Sequence, residues 1–344
     1  MTRRTVVVLA LGLALALAEC TLRVFAPMYT VGIQEAYQYD PDLGYRLKPS
    51  THLYELTDHL EEIRTNALGT VNFAESFAAY PALVFAIGDS YTQGTGNPAD
   101  AAYPFQLDLL LNQDADGLYR ERYGVVNLGL AAFGPEQALL ASERYAMLIG
   151  TPDFILYFGS DNDADDDILF RSGYRHRHIV AGSPTWGVLV GPALWLSDFQ
   201  VMKRLKLGAG RLRRARVLPV RTSTGASTPS AAERVWPALE RIAARSREWD
   251  ALLVVGWANP GESYTWLRDK ASAENIPFAD WAPAVESVRE KQAGLSYANS
   301  HSGGHWRSWT NVVIARSFAR AMGVWSPEPA KPPRAPAARA SAAP

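Results

Sequence analysis

Cysteine occurs once in 344 residues, as Cys20. An intramolecular disulfide framework is therefore excluded, and no CxxC pair exists to ligate zinc or an iron–sulfur cluster. Excess charge of one sign is also missing. The 34 Lys and Arg stand against 35 Asp and Glu, a formal net charge of −1, so the protein as a whole is not built to coat nucleic acid. No internal repeat is present. What the chain does have is 48% apolar and 20% charged residues, the balance of a globular chain with a sizeable core. Its length fits one large α/β domain with appendages.

The small net charge conceals an asymmetry. Between Arg171 and Val235 there are 12 Lys and Arg against two acids, Asp198 and Glu233. That span, rich in Gly, Pro and Ser, reads as a basic insertion, 171–235. Lys203 to Arg216 suits either a solvated linker face or a site for anionic polymers or headgroups. The first residues carry Arg3 and Arg4 and then an uncharged apolar run, Thr5 to Ala18, the pattern of an export signal. Segment 1–25 is expected to be a cleaved signal with Ala16-Leu17-Ala18 at its end, or an anchor continuing through Glu19–Phe25 with Glu19 and Arg23 paired at i,i+4. A lipoprotein site at Cys20 is the third option, with Glu19 where a small residue is usual. The expected location is thus extracytoplasmic or periplasmic, with the inner membrane met through the N-terminal helix. At the other end, 326–344 is a Pro/Ala-rich tail expected to be disordered.

Between the ends, 26–81 lacks a long helical pattern and reads as a small extension. From Ala82 the texture becomes alternating strands and helices. Leu83–Ile87 is a continuous apolar run ending at Gly88, as in a strand covered on both faces. Val125-Val126, Phe154–Phe158, Leu252–Trp257 and the shorter Ile276–Phe278 follow. Glu136–Ile149 has Pro135 at its first turn and Gly150 beyond its end, the usual helix asymmetry. A last helix is expected from a Thr310 cap to Gly323. The expectation for 82–325 is a doubly wound, flavodoxin-like five-stranded parallel sheet in a three-layer α/β/α domain. Chemistry in such folds sits at the carboxyl ends of the strands.

Those ends carry a serine, an asparagine and a histidine. The first strand runs into Gly88-Asp89-Ser90-Tyr91-Thr92-Gln93-Gly94-Thr95-Gly96, the second into Asn127-Leu128-Gly129 through Gly134, and the third into Gly159-Ser160-Asp161-Asn162-Asp163. His305-Trp306 precedes the last helix. A serine at a strand-to-helix turn presents its hydroxyl at the sheet edge and its N–H to a developing oxyanion. In this order the four segments resemble the blocks of SGNH (GDSL-type) hydrolases over roughly Ala82 to Met322. Asp40-Pro41-Asp42-Leu43-Gly44-Tyr45-Arg46 through Pro49, with Thr65-Asn66 and Gly69, is similar to exported, membrane-tethered members.

The resemblance implies Ser90 as nucleophile and His305 as its base. It implies an oxyanion hole from the Ser90 N–H, a second-block N–H at Gly129 or Ala132, and the Asn162 amide. Two positions depart from the pattern. Ala132 stands where the family has glycine. Gly303 and Ser302 stand where the family's acid precedes the histidine, leaving Ser302, a backbone carbonyl or the more distant Asp280 to orient the ring. No cofactor and no metal are called for.

The reading is a serine ester hydrolase acting on small acyl esters, such as O-acetyl groups of an envelope polysaccharide. The alternatives are an acyltransferase using the same residues, or a non-catalytic polysaccharide-binding or assembly protein on a degenerate scaffold. The partner in each case is an acylated small molecule or polysaccharide, with no nucleic acid; sequence does not set the oligomeric state. Asp161–Asp167 is expected to be a solvated acidic loop, and the cluster of His176 and His178 a charged surface turn. Trp306 and Trp309 are the tryptophans expected to touch ligand.

Overall fold

A computed structural model describes residues 2–25, 36–56, 60–114, 116–171, 199, 201–202, 204, 229–298 and 305–325. Most of the basic insertion, Ser302, the two histidines of its surface cluster, and the tail lie outside the described residues.

The chain begins with helix α1, Arg3–Phe25, 23 residues whose apolar side chains are almost all exposed. By length and composition it is long and apolar enough to cross a membrane. Glu19 and Arg23 pair on it at 2.8 Å, as the i,i+4 spacing implies. Glu19 is buried and also accepts a hydrogen bond from the Val201 N–H, at 3.1 Å.

Two antiparallel hairpins follow, β1 Tyr37–Asp40 with β2 Gly44–Leu47, and β3 His52–Leu56 with β4 Leu60–Arg64. Asp40 closes the first turn by accepting from the N–H groups of Asp42 and Leu43, the aspartate turn that its short side chain favours. Asn66 does the same for Leu68 and Thr70. The motif of the extension is thus a pair of side-chain-closed turns.

The main sheet holds β5 Ala82–Gly88, β6 Tyr123–Asn127, β7 Phe154–Gly159 and β8 Leu252–Trp257, all parallel, in the order β6-β5-β7-β8. The class expected from sequence, α/β with a doubly wound parallel sheet, is observed, but with four strands among the described residues. The expected fifth, Ile276–Phe278, is reduced to one bridge, Phe278 with Val255. Pro277 has no N–H to extend a ladder, and a three-residue run offers nothing beyond that bridge.

After β5 come the short turn α2, Ser90–Gln93, and α3, Tyr103–Asn112. Helix α4 covers Pro135–Ile149, α5 Asp163–Arg171 and α6 Ala231–Glu248. The last three are α7, Glu262–Ala273, α8, Ala282–Lys291, and α9, Ser308–Ala321. Helices α3 and α9 pack together against one face of the sheet, while α4 and α6 pair on the other. The final helix starts two residues before the expected cap. Thr310 lies inside it, buried, and donates its hydroxyl to the Tyr297 carbonyl at 2.8 Å.

Val84, Phe85, Ala86 and Ile87 are fully buried, consistent with a strand sandwiched between two layers. Phe158 meets Tyr103 and Phe318 edge-on, which ties β7 to α3 and α9. A second apolar cluster joins the extension to the main domain, with Leu43, Tyr45, Leu47 and Ile63 packed against Leu130, Phe133 and Ala141.

Candidate active site

The switch point of a 2-1-3-4 sheet lies between its first and third strands, here β5 and β7. Ser90 is the second residue after β5, following Asp89. Asp89 caps the turn through its Oδ1, which accepts from the Tyr91 N–H at 2.9 Å. Gly88 cannot be replaced, since a Cβ there would meet the Phe158 carbonyl oxygen at 2.5 Å. The turn is therefore pressed onto β7, and the Ser90 hydroxyl emerges at the sheet edge.

His305 reaches the same point from the far end of the chain: its Nε2 lies 2.7 Å from Ser90 Oγ. Several contacts hold it there. The Trp306 carbonyl accepts from Asn97 Nδ2 at 2.8 Å, and the Arg307 N–H donates to the Tyr297 carbonyl at 3.0 Å. The imidazole packs 4.8 Å from the Tyr91 ring. Trp306 is buried among Tyr91, Trp281 and Tyr297. It is a packing residue behind the histidine and not a ligand platform, contrary to expectation. Trp309 is half-buried, with its indole N–H on the Ser296 carbonyl.

The second block forms a turn in which the Phe133 N–H donates to the Leu130 carbonyl at 3.0 Å, with Ala132 at φ +61°. Positive φ at that turn position is where glycine is preferred. Among the described residues the N–H groups of Ser90 and Ala132 have no acceptor, and the loop that carries Ala132 is tied to the serine's turn through the Leu130 N–H on the Gly88 carbonyl and the Ala131 N–H on Gln93. Gly129 adds no third free N–H. Its N–H is bound to Asn127 Oδ1 at 3.0 Å, and the residue is there for close packing, since a Cβ would sit 2.5 Å from the Gln93 nitrogen.

Asn162 also differs from the expected role. Its Nδ2 donates to Asp166 Oδ2 at 2.6 Å and approaches Asp89 Oδ2 at 3.4 Å, so the amide is directed onto carboxylates. Asp280 is not brought to the histidine: its Oδ1 accepts from the Tyr264 hydroxyl at 2.6 Å.

The acidic stretch beside Asn162 is not a solvated loop. From Asp163 it is helical, with Asp163 and Asp167 buried. Burial raises both carboxyls, Asp167 to about 7. It also raises Asp166, to about 6, with the Asn162 hydrogen bond opposing.

Sequence reasoning missed the residues that hold these groups in place. Ser160 Oγ donates to Asp89 Oδ2 at 2.7 Å. Gln93 Oε1 accepts from the Ala131 N–H at 2.6 Å and from the Tyr37 hydroxyl at 3.1 Å. Tyr45 OH donates to the Ala131 carbonyl at 2.5 Å. For Ser160 the available signal was its place directly after a strand. Tyr37 and Tyr45 lie far away in sequence and carried none.

The fold and site together define an α/β domain with a serine–histidine pair at the carboxyl edge of a parallel sheet. No protein-family model matches the chain, and no curated protein matches it. Solved structures similar to it include a member of the lipolytic G-D-S-L family from Veillonella parvula, 12% identical over 70% of this chain and 97% of that one, with a TM-score of 0.38. A catalytic mutant of an acetylxylan esterase from Geobacillus stearothermophilus is 14% identical over 71% and 95%, TM-score 0.38. A psychrotrophic esterase from Pseudoalteromonas is 12% identical over 71% and 98%, TM-score 0.38. The G-D-S-L family, which the sequence motifs resemble, is thus represented among the similar structures.

Proposed function

We propose that the protein is an exported, membrane-anchored ester hydrolase of SGNH type. The observation that carries this reading is the 2.7 Å approach of His305 Nε2 to Ser90 Oγ at the sheet edge. That distance is within reach for a base to take the hydroxyl proton as the oxygen attacks an acyl carbon. The tetrahedral intermediate places its oxyanion toward the N–H groups of Ser90 and Ala132, each donor lowering the barrier by about 3 kcal/mol. Collapse returns the proton from His305 to the leaving alcohol, leaving an acyl-Ser90. Water, activated by the same imidazole, then releases the acid.

The open, two-donor site suits a small acyl group, and an extracytoplasmic tether suits O-acetyl groups on an envelope polysaccharide. The full chain in detergent should hydrolyse 4-nitrophenyl acetate, and Ser90→Ala should remove at least 10³-fold of that rate, in line with the loss of a nucleophile. Equal rates for the two proteins refute the reading and leave the non-catalytic scaffold. Acetate released into water, as opposed to acetyl recovered on an added sugar acceptor, separates hydrolysis from transfer.

A further inference from the structure

The loop before His305 lacks the carboxylate that the SGNH pattern places there, which makes a buried carboxylate near the base on another element a candidate counter-charge. Asp89, Ser160 and Asp163 lie fully buried beneath the nucleophile. Ser160 Oγ is 2.7 Å from Asp89 Oδ2, 2.7 Å from Asn162 Oδ1 and 2.9 Å from Asp163 Oδ1. A hydroxyl has one proton to donate, so Ser160 cannot serve both buried carboxyls at once, and a proton on one of them lets that one donate to Ser160 instead; the Asn162 oxygen is then a close neighbour that receives no proton from it.

Asp163 is placed to do so. Its Oδ2 accepts from the Tyr157 hydroxyl, and no cation pairs with it among the described residues. Burial, then the charges of Asp89 and Asp166, favour its neutral form. Asp89 is placed differently. Burial raises its carboxyl too, but Ser160, the Tyr91 N–H, His305 and Asn162 all oppose the rise, and it stays short of that at Asp163. Its Oδ2 is 3.5 Å from Ser90 Oγ, which is 2.7 Å from His305 Nε2, so carboxylate and imidazole lie within about 6 Å.

We propose that Asp163 is a neutral carboxylic acid that donates to Ser160, that Ser160 donates to Asp89, and that the Asp89 carboxylate is the counter-charge for His305 when it takes the serine's proton. Asp89 is a positioning residue in this scheme, acting on the base and not on the substrate. The proton order is Asp163 Oδ1–H to Ser160 Oγ and Ser160 Oγ–H to Asp89 Oδ2, so each hydroxyl donates once. The role assigned to Asp89 rests on the Ser90–His305 ester-hydrolase reading; the proton on Asp163 does not.

The test compares Asp89→Asn and Asp163→Asn in the full chain, with Ser90→Ala as reference. Asn at 89 keeps the cap of the turn and removes the charge, while replacing the oxygen that accepts from Ser160 with an NH2 group. It should lower kcat/KM for 4-nitrophenyl acetate about 100-fold and move the acidic limb of the pH–rate profile to lower pH. Asn at 163 reproduces a neutral donor, so it should cost less than tenfold and leave that limb in place. An unmoved limb in Asp89→Asn, or equal losses in the two variants, overturns the assignment to Asp89.

Difference infrared spectra supply a readout free of catalysis and serve even if Asp89→Asn fails to fold. At about pH 9, where Asp108, Asp166 and Asp167 are ionised, a protonated-carboxyl band in the parent should vanish in Asp163→Asn, and its absence from the parent overturns the proton assignment. Failure of the ester-hydrolase reading shows separately, as a parent rate no higher than that of Ser90→Ala.

Discussion

Ala132 holds φ +61° at the turn beside Ser90, a conformation that costs a residue with a Cβ about 1 kcal/mol. Such strain persists where surroundings over-determine it, and here the Gln93 and Tyr45 side chains grip both sides of Ala131. Ala132→Gly should raise the denaturation midpoint by the equivalent of about 0.5 kcal/mol, the relief being partly offset by the looser unfolded chain. Activity should stay within about twofold, because the N–H is retained; equilibrium unfolding and steady-state rates check both. Ser90 and the Ala132 turn were legible in sequence because each sits in a short motif after a strand, and His305 because its motif directly precedes the last helix. The free N–H of Ala132 and the bound one of Gly129 were not. That distinction depends on Asn127 folding back onto its own loop.

Among the elements, the hairpin β1–β2 carries more of the site than its position before the domain suggests. Tyr45 holds the Ala131 carbonyl, Tyr37 holds Gln93, and Gln137 Nε2 donates to the Leu43 carbonyl at 2.7 Å. Arg144 of α4 binds Asp40 with two nitrogens, at 2.5 and 3.1 Å, the fork geometry that fixes orientation. Tyr45→Phe removes the hydroxyl and leaves a half-buried carbonyl without that donor, a loss of about 1–2 kcal/mol. We expect kcat to fall about tenfold with KM little changed, read from steady-state kinetics. The strands and helices of the main domain followed from apolar runs and from the Pro135 and Gly150 boundaries. The hairpins did not, since their strands are four or five residues long, too short to show periodicity, and the first is closed by the Asp40 side chain. Residues 276–278 erred in the opposite direction: an apolar run resembled a strand, but Pro277 limits its pairing to one bridge.

For the whole molecule, the acidic side of the charge balance is partly buried, with consequences for pH. Burial raises Asp108 and Asp166 to about 6 and Asp167 to about 7, from an ordinary 3.8. These carboxyls bind protons more tightly folded than unfolded. The stability they contribute is complete below about pH 4 and is lost as pH rises through 6 and 7. Two others act in reverse. Glu136 is held low by its hydrogen bond to Arg171 against burial; burial pushes Asp40 up, but Arg144 and the Leu43 and Asp42 N–H groups together outweigh it and hold it low. Their contribution is present above their ordinary values, 4.5 and 3.8, and is lost as pH falls below them. Stability should therefore peak near pH 4 and decline steadily toward pH 7.5, measurable as a lower melting temperature at the higher pH. Net charge alone does not reveal this, because it counts acids without regard to which are buried.

The brace of the extension also sets where the chain can be shortened. A soluble enzyme begun at Ala82, where the sheet starts, would lack Tyr37 and Tyr45 and would leave Leu130, Phe133 and Ala141 uncovered. One begun at Ala36 keeps both hairpins and sheds only the apolar helix and its connection. The shortest working version of this protein thus starts at the first hairpin, some 46 residues ahead of the sheet. A cut between Phe25 and Ala36 parts the apolar helix from the rest and leaves both hairpins packed against Leu130 and Phe133.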